Sequence, residues 1–229
     1  PYRGCEHGCV YCVSGDTQVL MGDGDRKPIA GLKIGDEIYG TVKTGFYRRF
    51  VRTRVLAHWK TKKPAWRVRL ADGTQLVASA DHRFLTPFGW KFVARGEGDS
   101  RRSVLSLDDH LMGLASAYSA RTGTDGQFVD AEENLRVVSV EPPGKPRELF
   151  DITTGTGDFV ANGVISHNCY ARPSHQHLGF GAGTDFERRI VVKVNAPEVL
   201  RRELARPSWQ GDELAFSGNT DCYQPLEAS

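Results

Sequence analysis

The sequence lacks any long hydrophobic run. Its longest, such as Ile190-Val191-Val192, are a few residues, against the roughly 20 that a bilayer-spanning helix needs. No basic-then-apolar leader opens the chain, so the expectation is a cytoplasmic protein with no membrane partner. Charge of one sign is also lacking: 30 Lys plus Arg stand against 28 Asp plus Glu, and no whole-chain field marks a dedicated binder of nucleic acid. Cysteine is scarce, and its count of five is odd. Three of the five (Cys5, Cys9, Cys12) crowd the first dozen residues, which argues against a secreted disulfide framework and towards metal or catalytic chemistry. What is present, 39% hydrophobic and 25% charged residues in 229, is an ordinary globular mixture rather than a disordered one.

The chain starts at Pro1-Tyr2-Arg3-Gly4 and stops at Leu226-Glu227-Ala228-Ser229, and it reads as an excerpt. From Cys12 to Asn168 the texture is that of a β protein, with short alternating runs, frequent glycine and regular turn signals. Trp66–Leu70 and Gln75–Ser79 around Asp72-Gly73 predict one hairpin. Phe159–Ala161 and Val164–Ser166 around Asn162-Gly163 predict another. One helix is expected in this span, from an N-cap at Asp108 or Asp109 through Tyr118, followed by a loop over Ser119–Gln127. Beyond Asn168 the pattern changes to one βαβ unit: a strand at Arg189–Val194, a helix opened by Ala196-Pro197-Glu198, and a strand at Leu214–Ser217.

The reactive groups sit where these textures change. An Asn side-chain amide can attack its own backbone carbonyl and break the peptide bond that follows; a thiol can attack the carbonyl before it and turn an amide into a thioester. With Cys12 at one change of texture, Asn168 then Cys169 at the other, and His167 to move protons, the chain holds the groups needed to excise 12–168 and join Tyr11 to Cys169. Four stretches carry a resemblance. They are Cys12-Val-Ser-Gly-Asp-Thr with Ile34-Gly35-Asp36-Glu37-Ile38; Gly73 to Thr86, containing Ser79 and His82; Glu148 to Ile152, containing Asp151; and Phe159 to Asn168. Singly, His82 reads as a structural histidine and Asp151 as a turn or ion-pair residue, but four blocks in order between the correct nucleophiles resemble an intein.

That resemblance implies an all-β, horseshoe-like fold of the Hedgehog/intein (HINT) type over residues 12–168, with 1–11 and 169–229 as fragments of the host. It implies that Ser79 and His82 hold and distort the Tyr11–Cys12 amide, with His82 protonating the departing nitrogen. Asp151 would tune Cys12 and help position Cys169, and His167 would assist cyclisation of Asn168. A further His common about ten residues before the terminal Asn is absent, Gly157 and Asp158 standing there, and Asp158 is the candidate to replace it. Splicing needs no cofactor, and the chain acts on its own flanks as a monomer.

Joining Tyr11 to Cys169 gives Gly4-Cys5-Glu6-His7-Gly8-Cys9-Val10-Tyr11-Cys169-Tyr170, a Cys-x3-Cys-x2-Cys spacing. Three such thiolates can bind three irons of a 4Fe-4S cluster and leave the fourth open, whereas structural zinc normally wants a fourth protein ligand. The rejoined host is similar to radical S-adenosylmethionine enzymes of the spore photoproduct lyase subgroup, in which Phe216 to Glu227 matches a second strand and loop. The resemblance implies Cys5, Cys9 and Cys169 as metal ligands, with 4Fe-4S and S-adenosylmethionine as host cofactors on a (βα) partial barrel too short here to work alone.

Two other functions are weighed. A homing endonuclease would need paired acidic helices; Leu111 to Ser119 resembles a decayed segment of that kind, Tyr118 stands where a metal-binding carboxylate belongs, and no second such helix follows. Residues 108–127 are therefore expected to be an inactive remnant or linker. A nucleic-acid module would rest on Arg48, Arg49, Arg52 and Arg54, whose alternation reads more simply as a solvated strand face. Finally, Cys5, Cys9 and Cys12 already carry the host spacing, so oxidation of Cys9 with Cys12, or metal capture, is expected to slow splicing.

Overall fold

The alternating segments become strands in the computed structural model, which describes residues 2–3, 11–95, 102–114, 124–142, 144–168, 189 and 191–211. In chain order these are β1 (Tyr2–Arg3), β2 (Val13–Ser14), β3 (Gln18–Leu20), β4 (Arg26–Pro28), β5 (Glu37–Thr44), β6 (Tyr47–Lys63), β7 (Trp66–Leu70) and β8 (Gln75–Ala78). There follow β9 (Arg83–Thr86), β10 (Gly89–Phe92), β11 (His110–Gly113), β12 (Asp130–Glu141), β13 (Arg147–Thr154), β14 (Asp158–Ala161), β15 (Val164–His167) and β16 (Val191–Val192), then the helix α1 (Ala196–Leu204). The chain divides into two units, residues 9–170 and the two flanks, 1–8 with 171–229. No helix among the described residues is long and apolar enough to cross a membrane.

Within 9–170 the strands join one antiparallel network in the order β4-β3-β14-β15-β11-β12-β7-β8-β2-β13-β6-β5, with β9 on β15 and β10 on β9. The long strand β6 serves two partners in succession: Tyr47 to Arg54 pair with β5, and Val55 to Lys63 pair with β13. Such continuity along one strand links the β5 and β13 parts of the network.

Both hairpins read from the sequence form. Asn162 (φ 48) and Gly163 (φ 86) take the left-handed conformations that a tight two-residue hairpin turn needs, and β14 and β15 pair in register on either side. The first hairpin uses a longer turn than a two-residue connection. Leu70 N–H donates to Thr74 O and Gly73 N–H to Leu70 O, while Asp72 Oδ1 accepts from Thr74 N–H.

The β14–β15 hairpin is buried on both faces, which explains its nearly continuous apolar sequence. Phe159, Ala161 and Val164 enter one core cluster, with Val13, Ile38, Phe84 and Ile152; Val160 and Ile165 enter a second, with Leu20, Tyr39, Phe50 and Leu85. Period-two alternation along one hairpin therefore feeds two cores, and that hairpin carries His167 and Asn168 at its end. Each fully buried large aliphatic or aromatic side chain contributes about 1.5–3 kcal/mol through removal from water.

The helix expected from Asp108 to Tyr118 is corrected: His110–Gly113 is a strand, hydrogen-bonded to β12 and touching β15 at Val164. Tertiary packing overrides the local helical pattern there. A Cβ on Gly113 would lie 2.1 Å from Gly163 O, so this glycine permits the strand to close against the hairpin turn. Residues 115–123, including Tyr118, lie outside the described set.

In the flank unit, β1 and β16 pair antiparallel through Tyr2 with Val192 and Arg3 with Val191. The expected helix is present as α1, with Pro197 in its first turn. Of the expected strand at 189–194 only Val191–Val192 is assigned, and the expected strand at 214–217 lies outside the described residues.

Candidate functional site

The chain's two reactive stretches, 11–12 and 167–168, are brought together by a pair of consecutive strands. β8 lies beside β2, with Val13 opposite Ala78, and β9 lies beside β15, with Ser166 opposite Phe84. The tight connection between β8 and β9, closed by His82 N–H donating to Ser79 O, therefore faces both ends. Ser79 and His82 sit in that connection.

Ser79 grips the peptide on both sides of Cys12. The Cys12 N–H donates to Ser79 Oγ at 3.3 Å, and Ser79 N–H donates to Cys12 O at 2.9 Å. The Tyr11–Cys12 amide thus has its nitrogen on a hydroxyl that can hold it while the carbonyl is attacked. The Cys12 thiol is buried among Ala65, Leu149 and Val77. Its enclosure removes water, the competitor for any acyl group it carries.

His82 is fully buried, with its Nε2 2.6 Å from Ser166 Oγ and its ring against Phe84. Burial pushes its pKa down to about 3, because an apolar surrounding disfavours the charged ring; the backbone of Tyr11 acts in the opposite direction. Nδ1 is buried and makes no hydrogen bond of normal geometry among the described residues, so Tyr11 approaches the ring without a formed bond. The tautomer that fits has Ser166 Oγ–H donating to Nε2 and the proton on Nδ1, turned to the first junction. Ser166 is a site residue that pattern reading missed, since a small polar residue in an apolar strand carries no signal of its own.

Asp151 is fully buried in β13, where its Oδ1 accepts from Ile152 N–H. β13 pairs with β2 through Leu149 with Ser14 and Phe150 with Val13, and the next step of that register sets Asp151 opposite Cys12. Its expected neighbourhood to Cys12 is therefore consistent with the ladder.

Asn168 is fully buried beyond the end of β15. Its N–H donates to Gly157 O at 3.2 Å. With the carboxamide turned to satisfy both ends, Oδ1 accepts from Thr154 N–H at 3.1 Å and Thr154 Oγ–H at 2.8 Å, and Nδ2 donates to Gly157 O at 3.1 Å. Thr154 is a second residue that sequence reading missed. It follows Asp151 by three positions in the same strand, and only the pairing of the strands shows that it meets Asn168.

Asp158 does not take the role expected of it. Its carboxylate accepts from Thr41 N–H at 2.7 Å, from Thr41 Oγ–H and from Arg48 Nη1–H at 2.8 Å. Burial raises its pKa, against the pull of Thr41 and Arg48. What Asp158 brings to the second junction is its backbone oxygen, which lies 2.9 Å from Thr154 Oγ1 and competes with Asn168 Oδ1 for the single hydroxyl proton. The ion pair also corrects the reading of the arginine stretch: Arg49, Arg52 and Arg54 are exposed, but Arg48 turns inward and lies over the Trp90 ring.

His167 stands between Tyr11 and Trp90, with ring centroids 4.8 Å and 4.9 Å away. Burial lowers its pKa to about 4, and the positive charges of Arg83 and Arg48 push the same way. Both histidines are therefore neutral at physiological pH and able to accept a proton. Cys5, Cys9 and Cys169 lie outside the described residues, as does the joined motif they would form. Among the described residues no group of three His, Cys, Asp or Glu side chains is placed to hold a metal ion.

No family model matches the chain. Across 69% of its length it is similar to solved inteins. It shares 26% identity and a TM-score of 0.54 with a variant of the Ssp DnaB mini-intein, covering 92% of that chain. With a DnaB intein from Synechocystis sp. PCC 6803 it shares 26% identity and a TM-score of 0.52, covering 97% of that chain. Among curated proteins it is 52% identical over 59 residues to an uncharacterized protein of Mycobacterium tuberculosis, which is 26% of this chain and 17% of that protein. It is 37% identical over 83 residues to the replicative DNA helicase DnaB of Rhodothermus marinus, 36% of this chain and 9% of that one. The chain thus spans less than a fifth of the length of these curated relatives. Its antiparallel architecture matches the intein (HINT) fold.

Proposed function

We propose that residues 12–168 are an intein that excises itself and joins Tyr11 to Cys169. The observation that carries this reading is the β8–β9 connection, whose Ser79 binds the Cys12 amide and whose His82 reaches Ser166 beside His167. The likeness to inteins supports protein splicing in general.

In the first step the Cys12 thiol attacks the Tyr11 carbonyl carbon. The Tyr11–Cys12 C–N bond breaks, the thiol proton is lost, and the Cys12 nitrogen gains one proton, with Ser79 holding that nitrogen and His82 carrying the proton. A neutral His82 suits this transfer, because an imidazole held neutral can relay without first being charged. The Cys169 thiol then takes the acyl group from Cys12, aided by Asp151. Asn168 Nδ2 attacks its own carbonyl carbon, the bond to Cys169 breaks, and the free Cys169 amine takes the acyl group from its own sulfur. The result is an ordinary Tyr11–Cys169 peptide.

The same proposal has the host restored as a radical S-adenosylmethionine protein, with Cys5, Cys9 and Cys169 holding a 4Fe-4S cluster. The spacing would supply an open donor set only after joining: before it, the third position is Cys12, whose thiol is enclosed by Ala65, Leu149 and Val77. When bound, such a cluster supplies one-electron reduction of S-adenosylmethionine. Residues 108–127 add no nuclease in this reading.

Intact mass after expression tests the proposal. Splicing yields residues 12–168 and the join of 1–11 with 169–229. Asn168→Ala should trap a thioester or branched form that dithiothreitol cleaves after Tyr11, and Cys12→Ala should abolish that cleavage while allowing release at Asn168. Joined product from both variants overturns the assignment.

A further inference from the structure

The residue before the first junction packs on the histidine of the second. The Tyr11 and His167 rings lie 4.8 Å apart at 60°, and the Trp90 ring meets His167 edge-on at 4.9 Å. Arg83 fixes Tyr11 in this place, donating from Nη2 to the phenol oxygen at 2.6 Å with its guanidinium 4.9 Å from the ring centroid. His167 is thus held in an aromatic slot, where the Asn168 backbone approaches the ring and favours its charged form, yet its buried Nδ1 makes no hydrogen bond of normal geometry among the described residues.

We propose that the Tyr11 side chain is a positioning residue that keeps His167 idle until the Tyr11–Cys12 bond has been broken, so that release at Asn168 follows acyl transfer. This rests on the splicing reading. While Tyr11 remains amide-linked to Cys12, its ring is tethered from the Cys12 side and clamped by Arg83. Once the acyl group has moved to Cys169, that tether is gone and the ring can leave the slot. His167, which the Asn168 backbone already approaches, is then free to align with the Asn168 carbonyl. There it takes the proton that Nδ2 loses as it bonds to the carbonyl carbon and delivers it to the Cys169 nitrogen as the C–N bond breaks. The order has a chemical value, because release at Asn168 before acyl transfer separates the flanks with no means of joining them.

The test uses the full chain carrying Cys12→Ala, in which acyl transfer is impossible and Tyr11 never leaves. Release of residues 169–229 is followed by intact mass, with Tyr11 retained or replaced in Tyr11→Phe and Tyr11→Ala. Tyr11→Ala should accelerate release by about tenfold, the scale of one aromatic pair with its polar anchor. Tyr11→Phe keeps the ring and loses the Arg83 bond, so it should fall between. The acidic limb of the rate in Tyr11→Ala should also move to higher pH, because uncovering His167 relieves the burial that depresses its pKa. A ring that only filled space would give slower or unchanged release when removed. Equal or slower release in Tyr11→Ala overturns the proposal and leaves splicing standing; no release at Asn168 in any variant overturns both.

Discussion

His82 Nε2 and Ser166 Oγ stand 2.6 Å apart, and this contact joins the connection that grips Cys12 to the strand that carries His167 and Asn168. Two chemical steps far apart in sequence therefore share one buried bond. The serine can act as donor to Nε2, which fixes the proton on the opposite nitrogen, the one turned to Tyr11.

Replacing Ser166 with Ala removes that orienting bond at little cost in volume. Cleavage after Tyr11 by dithiothreitol in the Asn168→Ala background should fall by about tenfold, the worth of one buried hydrogen bond of about 1 kcal/mol plus the loss of the preferred tautomer. Rates within twofold of the parent would show that His82 is oriented by something else.

The Ser79 hydroxyl accepts from the scissile nitrogen at 3.3 Å. Ser79→Thr keeps it and should retain thiol-induced cleavage, while Ser79→Ala should slow cleavage about tenfold with unchanged far-UV circular dichroism. Equal rates in the two variants would remove Ser79 from the mechanism.

The reactive ends and the β14–β15 hairpin are local patterns, adjacent nucleophiles and a turn dipeptide between alternating runs, whereas Ser79 and His82 carry no local signal of their own and were singled out by the intein resemblance. Residues 110–113 were misread, since four residues cannot reveal that a glycine approaches the Gly163 backbone. Thr154 was missed, and Arg48 was misread as part of a solvated face, for a different reason. Their partners Asn168 and Asp158 lie 14 and 110 positions away, and strand order, which no local window contains, is what brings them together. Asp158 was noticed for its position beside the missing histidine, but its carboxylate is claimed by Thr41 and Arg48.

Thr154 holds the Asn168 carboxamide through both its backbone N–H and its hydroxyl. Thr154→Val preserves shape and deletes the hydroxyl. In the Cys12→Ala background, release at Asn168 should slow by about tenfold or more, and Thr154→Ser should restore it. Faster release in Thr154→Val would mean that the hydroxyl restrains the amide rather than presenting it.

The Arg48–Asp158 pair predicts a stability effect. Arg48→Met leaves a buried carboxylate with only uncharged partners, Thr41 and Thr156, and removing one member of such a pair costs about 3–5 kcal/mol. Burial already raises the Asp158 pKa, and loss of Arg48 raises it further, so the folded variant binds a proton more tightly than the unfolded chain. Its deficit in urea unfolding should therefore widen as pH rises through the folded parent's Asp158 pKa, above the ordinary carboxyl value, where the parent releases the proton and the variant keeps it. A deficit independent of pH would place the loss in packing alone.

The two buried histidines predict acid sensitivity of the opposite sign. His82 is held at about 3 and His167 at about 4, against about 6.5 for a free imidazole. Between pH 6.5 and 4 the unfolded chain binds two protons at these positions that the folded chain refuses, and half-buried His58, whose pKa burial also lowers, adds to the same trend, so stability rises with pH through this window and is lost as pH falls through it. Two protons correspond to about 2.7 kcal/mol per pH unit, giving a loss on the order of 4 kcal/mol between pH 6.5 and 5. Protonation of Asp158, whose pKa is raised, favours the folded state and opposes this trend towards the acid end. Urea unfolding at pH 7 and pH 5 measures the difference directly. His167→Gln should reduce it, because one refused proton is gone while those of His82 and His58 remain, and a wild-type stability that is flat over this range would overturn the neutral assignment of both rings.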